Sequence, residues 1–479
     1  MAVADLREFL DQAERHGRLR RMSGPVDRLR EPGCLVKWMF QGLPMSERFG
    51  LRFDNVTGSP FPLVTGALGA SVDTYALALG VAPENINEYW VKALLAPREP
   101  VTVPAAPCQE VVLTGPDVDL GLLPIPVWTP GRDAGPYLTT CVVNRDADTS
   151  VQNMGVYRTQ VTGPRSVVVN LAPGRQGRAC VETWWTRGLP APIAWVIGAE
   201  PVVYLAAVAN LPAGVDEVAV AGGLKGTAIE RVKALTSDLL VPARAEIVIE
   251  GELWPGEEAL EGPFGESAGY MSEVAARPEA RITAITHRRD AIYYGLASQM
   301  PPSESTTLQS LSNAGLILKT LRHDHGESTV RDCWIDLMFG GGAAHIVVSM
   351  RPARPGHARA LGCLVARTTP LKRVTVVDED IDIRDRTDLD WVMSSHFDPA
   401  RDTEILGGFP AAMDHAVTPD AVGRRLGSKL VIDATRSLET GPFSLPPADS
   451  MQRALAAWRA AKWPEFEPPL RLKRRLGLK

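Results

Sequence analysis

Cysteine is scarce and scattered. The six residues, Cys34, Cys108, Cys141, Cys180, Cys333 and Cys363, stand far apart with no CxxC pair, which removes the zinc-type spacings. A chain of 479 residues can bury a core without covalent staples, so reduced thiols and a cytoplasmic setting are expected. No stretch approaches the ~18 continuous apolar residues that a membrane helix needs. The opening MAVADLREFLDQAERHGRLRRM is charged throughout and has no apolar centre, so it is read as neither a signal peptide nor an anchor. No long basic run interrupts the chain, whose formal net charge is −5; nucleic acid and an acidic membrane surface are therefore not expected as partners. The short cluster Arg471, Lys473, Arg474 and Arg475 reads as a solvated tail. GxSxG, Walker A and HExxH are absent, which argues against serine hydrolases, P-loop NTPases and zincins. Internal repeats and low-complexity tracts are lacking too.

What is present is ordinary globular material, 45% apolar and 22% charged, long enough for two or three domains. Leu6, Phe9, Leu10, Ala13 and Leu19 fall near one helical face, with Asp5 as the cap and Gly17 near the end. Short strands and helical pieces such as Ser71 to Leu79 follow, closing an expected first domain at 1–103, and proline-rich 97–107 reads as a linker. Residues 104–304 are rich in strand signals: Tyr137–Val143, Ser166–Leu171, Ile193–Ile197, Val202–Ala207, Ala245–Leu253 and Ile282–Thr286. In Ala245–Leu253 the apolar residues share one parity and Glu246, Glu250 and Glu252 the other, the pattern of a strand with one face in water. So many short strands suggest a barrel or sandwich. From 305 to 450, helices at 306–322 and 357–367 alternate with buried strands at 344–350 and 373–377, which predicts an α/β layer domain. A helix at 451–462 and a proline-broken tail close the chain, and that helix is a candidate for docking on a neighbouring subunit.

Several segments could carry chemistry. In Glu261-Gly-Pro-Phe-Gly-Glu266 two carboxylates flank a turn. Aimed into one cavity they would repel, raising one pKa into the range of a proton donor; otherwise they are two solvated glutamates. In Asn153-Met-Gly-Val-Tyr157-Arg158-Thr-Gln160, polar residues alternate with apolar ones. Asparagine can give a neutral oxygen to a hard cation and arginine can hold a carboxylate, unless this is an ordinary strand with a polar outer face. Gly222-Gly-Leu-Lys225-Gly226, shortly after Glu217, could let backbone amides approach a phosphate as a glycine-rich turn. Lys429, in Gly427-Ser-Lys429, is either a phosphate partner or a surface lysine. His323, His325 and Glu327 read as a helix end and exposed loop, and 378–382 as an acidic loop; both could instead hold a metal.

Together these segments resemble one family. NMGVYRTQ at 153–160, DEVAVAGGLKGTAIERVK at 216–233, VPARAEIVIEGEL at 241–253, EGPFGESAGY at 261–270, DPARDT at 398–403 and GSKLVIDAT at 427–435 resemble the UbiD decarboxylases in order and spacing, and DLREFL resembles their first helix. The resemblance implies an N-terminal α+β domain, a central split β-barrel like that of flavin reductases, and a C-terminal α/β domain whose terminal helix reaches a neighbour in a homodimer or homohexamer. It implies prenylated FMN, supplied by a UbiX-type prenyltransferase, and a divalent metal, usually manganese, with potassium nearby. The expected reaction is reversible, non-oxidative decarboxylation of an aromatic or otherwise unsaturated carboxylic acid. Arg158, Glu261 and Glu266 match the catalytic residues, Glu266 as proton donor. Asn153 and Glu217 match the metal ligands, and Lys429 the lysine at the cofactor phosphate; Tyr157, Gln160, Gly222 and Lys225 join the expected cofactor site. Two departures stand out: Gln176 lies where the family has a histidine ligand, and His396 where it has an arginine. They leave a second reading, a cofactor-binding or assembly subunit without turnover, against which the retained Arg158, Glu261 and Glu266 weigh.

Overall fold

The computed structural model describes residues 2–338, 344–411, 414–436 and 441–477. Two compact units result, one from the chain up to Lys319 together with Leu337 and Met338, the other from Thr320 onward. In the first unit the helix Leu6–Arg15 opens where Asp5 accepts the Glu8 N–H, and Leu6, Phe9, Leu10 and Ala13 bury one face. A sheet of Leu19–Val26, Gly50–Val56 and Leu63–Thr65 follows, and its fourth strand, Tyr293–Gly295, returns from far along the chain. The helix Val72–Leu79 starts in a reciprocal cap between Ser71 and Thr74 and stops at Gly80, whose φ of 65° suits glycine.

The centre of this unit is a nine-stranded sheet. Its path runs from Tyr137–Leu138 through Thr159–Gly163, Ser166–Val169, Ala275–His287, Ile247–Glu261, Ala191–Ile197 and Cys141–Arg145 to Gln152–Val156. Two of these strands, Gln152–Val156 and Thr159–Gly163, lie near opposite ends of the path yet are joined only by Tyr157 and Arg158. Three residue steps span at most ~11 Å, whereas six strand spacings laid flat would separate the same strands by ~29 Å. The sheet must curl until its ends meet at Tyr157–Arg158. Among the described residues this meeting is not closed by strand pairing.

Several expectations need correction. Val202–Ala207 is not a strand but part of the helix Pro201–Ala207, buried on every side. A short apolar run has no period that distinguishes the two, and Pro201 at the first helical position tips the balance. Most of the carboxylate side of Ala245–Leu253 is closed to water, because Glu246 is 0% and Glu250 1% exposed, while Glu252 is half-buried. Glu246 receives Arg7, Arg288 and the Ile292 N–H, and Glu250 receives the N–H groups of Leu235 and Thr236. Buried carboxylates survive because each is paired or hydrogen-bonded. The supposed linker at 97–107 contains a strand, Val101–Val103, paired in parallel with Glu230–Lys233.

In the second unit a five-stranded sheet runs in the order Val330–Ile335, His345–Met350, Arg373–Asp378, Leu426–Asp433 and Thr403–Pro410. The three central strands are parallel and both edges antiparallel. The helix His357–Thr368 packs on this sheet so closely that a Cβ on Gly362 would lie 2.4 Å from Val431. This is the α/β layer that the sequence predicts, except that its expected first helix, at 306–322, is Glu304–Lys319 and belongs to the first unit. The basic cluster is not a solvated tail. It forms the helix Leu470–Leu476, in which Arg471 pairs with Asp385, Arg475 with Asp388, and Arg474 donates to the Ile381 carbonyl. Arg475 also lies over the ring of Trp391 at 4.3 Å.

Strand residue His345 is half-buried and neutral. Its Nδ1 faces the Arg373 guanidinium, which can only donate, so the remaining proton sits on Nε2 toward Thr375. Burial, then the charges of Arg373 and Arg386, push its pKa down to about 3. A depressed histidine contributes stability above its unfolded pKa and loses it as pH falls toward the folded value. Wild-type stability in chemical denaturation should therefore decline from near pH 6.5 downward, more steeply than that of His345→Gln. Parallel slopes for the two proteins would exclude this contribution.

Candidate active site

The two-residue link that joins the curled sheet's ends carries Arg158. Its Nε and Nη2 donate to the two oxygens of Glu261 at 2.8 and 2.9 Å, a bidentate fork, and Nη1 donates to Glu266. Glu261 closes the strand Ile247–Glu261 with its side chain 1% exposed, whereas Glu266, beyond the turn, is 22% exposed. Burial works against the Arg158 charge, but the hydrogen bond and charge of Glu261, then those of Glu266, outweigh it and raise its pKa. One cation therefore stands between two carboxylates, the outer of which reaches water. The reading of two solvated glutamates is excluded.

The turn is held from beneath. Gly262 has a φ of 94°, and its N–H donates to Gln160 Oε1 at 3.1 Å. Tyr137 donates to the same oxygen at 3.1 Å, and its ring packs on Phe264 with centroids 4.3 Å apart. Burial, then the Glu261 charge, raises the Tyr137 pKa, so the phenol stays a donor. Phe264 lies 5.3 Å beneath the Arg158 guanidinium. Gln160 thus supports the acid turn. Tyr137 sits in an apolar run that reads as plain core, and Phe264 lies in the turn between the two acids, where the sequence gives no sign that its ring underlies Arg158.

On the other side of Tyr157 is a polar nest. Asn153 Nδ2 donates to Asn144 Oδ1 at 3.0 Å and to the Tyr157 hydroxyl at 3.3 Å, which turns its own Oδ1 away as the atom available to a ligand. Glu217, the first residue of the helix Glu217–Lys225, accepts the neighbouring Met154 N–H at 3.2 Å. Burial lifts its pKa to about 7. A buried carboxylate beside an amide oxygen suits a hard cation, which would restore the charged form. Among the described residues no group of three or more His, Cys, Asp or Glu converges to hold a metal. Gln176 opens the helix Gln176–Trp185 rather than lying in a loop, and Gly174 before it has a φ of 79°.

Other candidates have different surroundings. Gly222 and Gly223 do not form a phosphate-binding turn. They lie inside the helix Glu217–Lys225, where a Cβ would come 2.6 Å from the Arg98 carbonyl oxygen and 2.7 Å from that of Ala93. Their role is close helix packing. Lys225 pairs at 3.3 Å with the fully buried Glu200. In the second unit Lys429 is buried, not a surface lysine; its ammonium donates to the carbonyls of Ala366 and Thr369 at the end of the helix His357–Thr368 and lies 4.3 Å from the Phe409 ring centroid. Those contacts account for its burial without a phosphate. Glu327 pairs with His357 at 3.0 Å, Asp378 and Asp380 pair with Arg436, and His396 ends the helix Arg386–Ser395.

Three family models match the chain in sequence order. They are the N-terminal, Rift-related and C-terminal domains of 3-octaprenyl-4-hydroxybenzoate carboxy-lyase, over residues 10–94, 99–301 and 306–434. The chain belongs to the UbiD family. It is a carboxy-lyase of that family with its multidomain α/β fold. Among solved UbiD-class structures, HmfF from Pelotomaculum thermopropionicum, an evolved dimeric form in complex with prFMN, is 32% identical over 95% of this chain and 100% of that one, with a TM-score of 0.81. The same enzyme with FMN is 33% identical over 94% and 99%, TM-score 0.82. The 3,4-dihydroxybenzoic acid decarboxylase from Enterobacter cloacae is 28% identical over 95% and 100%, TM-score 0.82.

In this UbiD protein Gly177 is a place where only glycine fits. A Cβ there would lie 2.8 Å from the Tyr157 ring and hydroxyl, the group that holds Asn153. Gly177→Ala should lower folding stability by about 1–3 kcal/mol, the usual cost of overpacking, when measured by chemical denaturation. An unchanged midpoint would mean that Tyr157 yields without cost.

Proposed function

We propose that this protein catalyses reversible, non-oxidative decarboxylation of an aromatic, heteroaromatic or α,β-unsaturated carboxylic acid with prenylated FMN. The observation that carries the reading is the convergence of Arg158, Glu261 and Glu266 from three chain segments onto one buried, water-edged spot. When bound, the prenylated flavin supplies the electron sink for the pair left behind by departing carbon dioxide. The family's split barrel is how we read the curled central sheet, since its ends are tied together by Tyr157–Arg158 without strand pairing.

Each residue then has one task. Arg158 orients the substrate carboxylate, and its fork on Glu261 keeps it from over-stabilising that carboxylate before the carbon–carbon bond breaks. As carbon dioxide leaves, Glu266 gives its proton to the carbon that lost it and is reprotonated from solvent through its exposed edge. Asn153 and Glu217 would hold a divalent cation, manganese by family resemblance and with potassium nearby, whose charge would offset that of the cofactor phosphate. Tyr157 would orient Asn153 toward that cation. Lys225 and Gly222 contribute packing and charge balance at the helix behind Glu217. The assembly we propose is a homodimer or homohexamer, loaded by a UbiX-type prenyltransferase.

Co-expression with such a prenyltransferase, mass spectrometry of the bound flavin and a screen for carbon dioxide release from aromatic acids test the reading together. Bound prenylated flavin without turnover on any acid would favour the assembly-subunit alternative. Glu266→Gln should keep the cofactor yet lose about 10²-fold or more in kcat, the scale of a missing general acid; near wild-type decarboxylation would remove Glu266 from the mechanism. Arg158→Lys keeps the charge but loses the fork, so its kcat should fall toward that of Arg158→Ala. Equal rates for Arg and Lys would exclude bidentate recognition.

A further inference from the structure

Behind the acid turn lies a polar cluster that the catalytic reading leaves unused. Lys37, on the helix Pro32–Gly42, donates to the Ser298 carbonyl and, at 2.7 Å, to Gln299 Oε1. Burial lowers its pKa to about 7, against the pull of the Asp133 charge. Gln299 is 3% exposed, has a φ of 74°, and leaves its buried Nε2 without a partner. Its side chain presses on the backbone next to Glu266, because a Cβ on Gly265 would meet Gln299 Cγ at 2.5 Å and Thr129 Oγ1 at 3.0 Å. Asp133 grips the same spot: Oδ1 accepts the Gly265 N–H at 3.0 Å, Oδ2 the Thr129 N–H at 2.6 Å. Ala134 adds an N–H to the Pro263 carbonyl at 2.9 Å. A non-glycine residue at positive φ costs energy and persists only where its surroundings over-determine it; here the Lys37 contacts do so.

We propose that Lys37, Gln299 and Asp133 are positioning residues that clamp the Gly265 backbone and so fix the direction in which Glu266 meets Arg158. The proposal rests on the decarboxylase reading for its consequence, though not for its geometry. Glu261 is anchored by its strand and by the bidentate fork, whereas Glu266 sits beyond a turn held at Gly262 by Gln160, at Phe264 by Ser272, at Gly265 by this clamp and at Glu266 itself by the Tyr270 carbonyl and the Gly269 N–H. Loosening the clamp should therefore move Glu266 and leave Glu261 in place.

Two variants test it in flavin-loaded, full-length protein. Asp133→Asn turns one acceptor into a donor, so one of the two backbone N–H groups loses its partner. Gln299→Leu keeps similar bulk and the same backbone requirement but removes the Lys37 acceptor. With vanillic or 3,4-dihydroxybenzoic acid as probe, kcat per bound flavin should fall about tenfold to a hundredfold, the scale on which a misplaced group costs rate, with KM nearly unchanged. The guanidinium 15N resonances of Arg158, assigned with Arg158→Lys, give a readout independent of turnover. The Nη1 signal bonded to Glu266 should shift, while Nε, bonded to Glu261, stays. Unchanged resonances in both variants, or unchanged kcat per flavin where wild type is active, would overturn the clamp. A shifted Nη1 signal in a protein whose wild type decarboxylates nothing would support the clamp and count against the decarboxylase reading instead. If one variant does not fold, the same readouts on the other decide.

Discussion

A single guanidinium holds two carboxylates together at a place where the backbone has little freedom. Arg158 occupies half of a two-residue link between strands near opposite ends of an eight-strand path through the nine-stranded sheet. That link forces the sheet to curl, and the curl brings Arg158 within reach of Glu261 on a strand and Glu266 beyond a turn. Without the arginine, a fully buried Glu261 would have to protonate or leave the site, since an unpaired buried charge is costly. Without the glutamates, the arginine would be a largely buried cation with no counter-charge. Fold and chemistry thus share one constraint.

The consequences spread outward in shells of hydrogen bonds. Gln160 joins the Gly262 amide and the Tyr137 hydroxyl through one oxygen, so the first residue of the acid turn is fixed by a strand on the far side of Arg158. Asn153, on the strand that leads into the same link, is oriented by Asn144 and Tyr157, and Glu217 is drawn to it by the Met154 amide. In the proposed function the substrate-orienting Arg158 and the cation-holding Asn153 are thereby spaced by only a few residues. The sequence order Asn153, Tyr157, Arg158, Gln160 is compact because one hairpin-like crossing carries both the acid site and the polar nest.

Much of this was legible in the sequence, for identifiable reasons. The first helix carried a clean periodic face and a cap at Asp5, and the second unit's buried strands alternated with amphipathic helices; both folded as expected. The helix Pro201–Ala207 was misread because a fully buried run has no polar face to mark its period. The strand Ile247–Glu261 alternates correctly, but alternation cannot tell a wet face from one whose carboxylates find Arg7, Arg288 and backbone amides far away in sequence. The glycines at 222 and 223 illustrate the same limit, since glycine signals close approach without saying to what. Among site residues, the acids and Arg158 stood out as a pattern, whereas Lys37, Asp133 and Tyr137 act through partners that only the fold brings near.

The central claim is that Arg158 and Glu261 act as one unit in turnover, and a double-mutant cycle measures it directly. Arg158→Met, Glu261→Gln and the pair would be compared in kcat per bound flavin, on an acid that the wild type decarboxylates. Residues that act as a unit are strongly non-additive, so the double variant should be no slower than the slower single variant. Effects that simply multiply would mean that the two side chains work independently, and the account built on their fork would be contradicted.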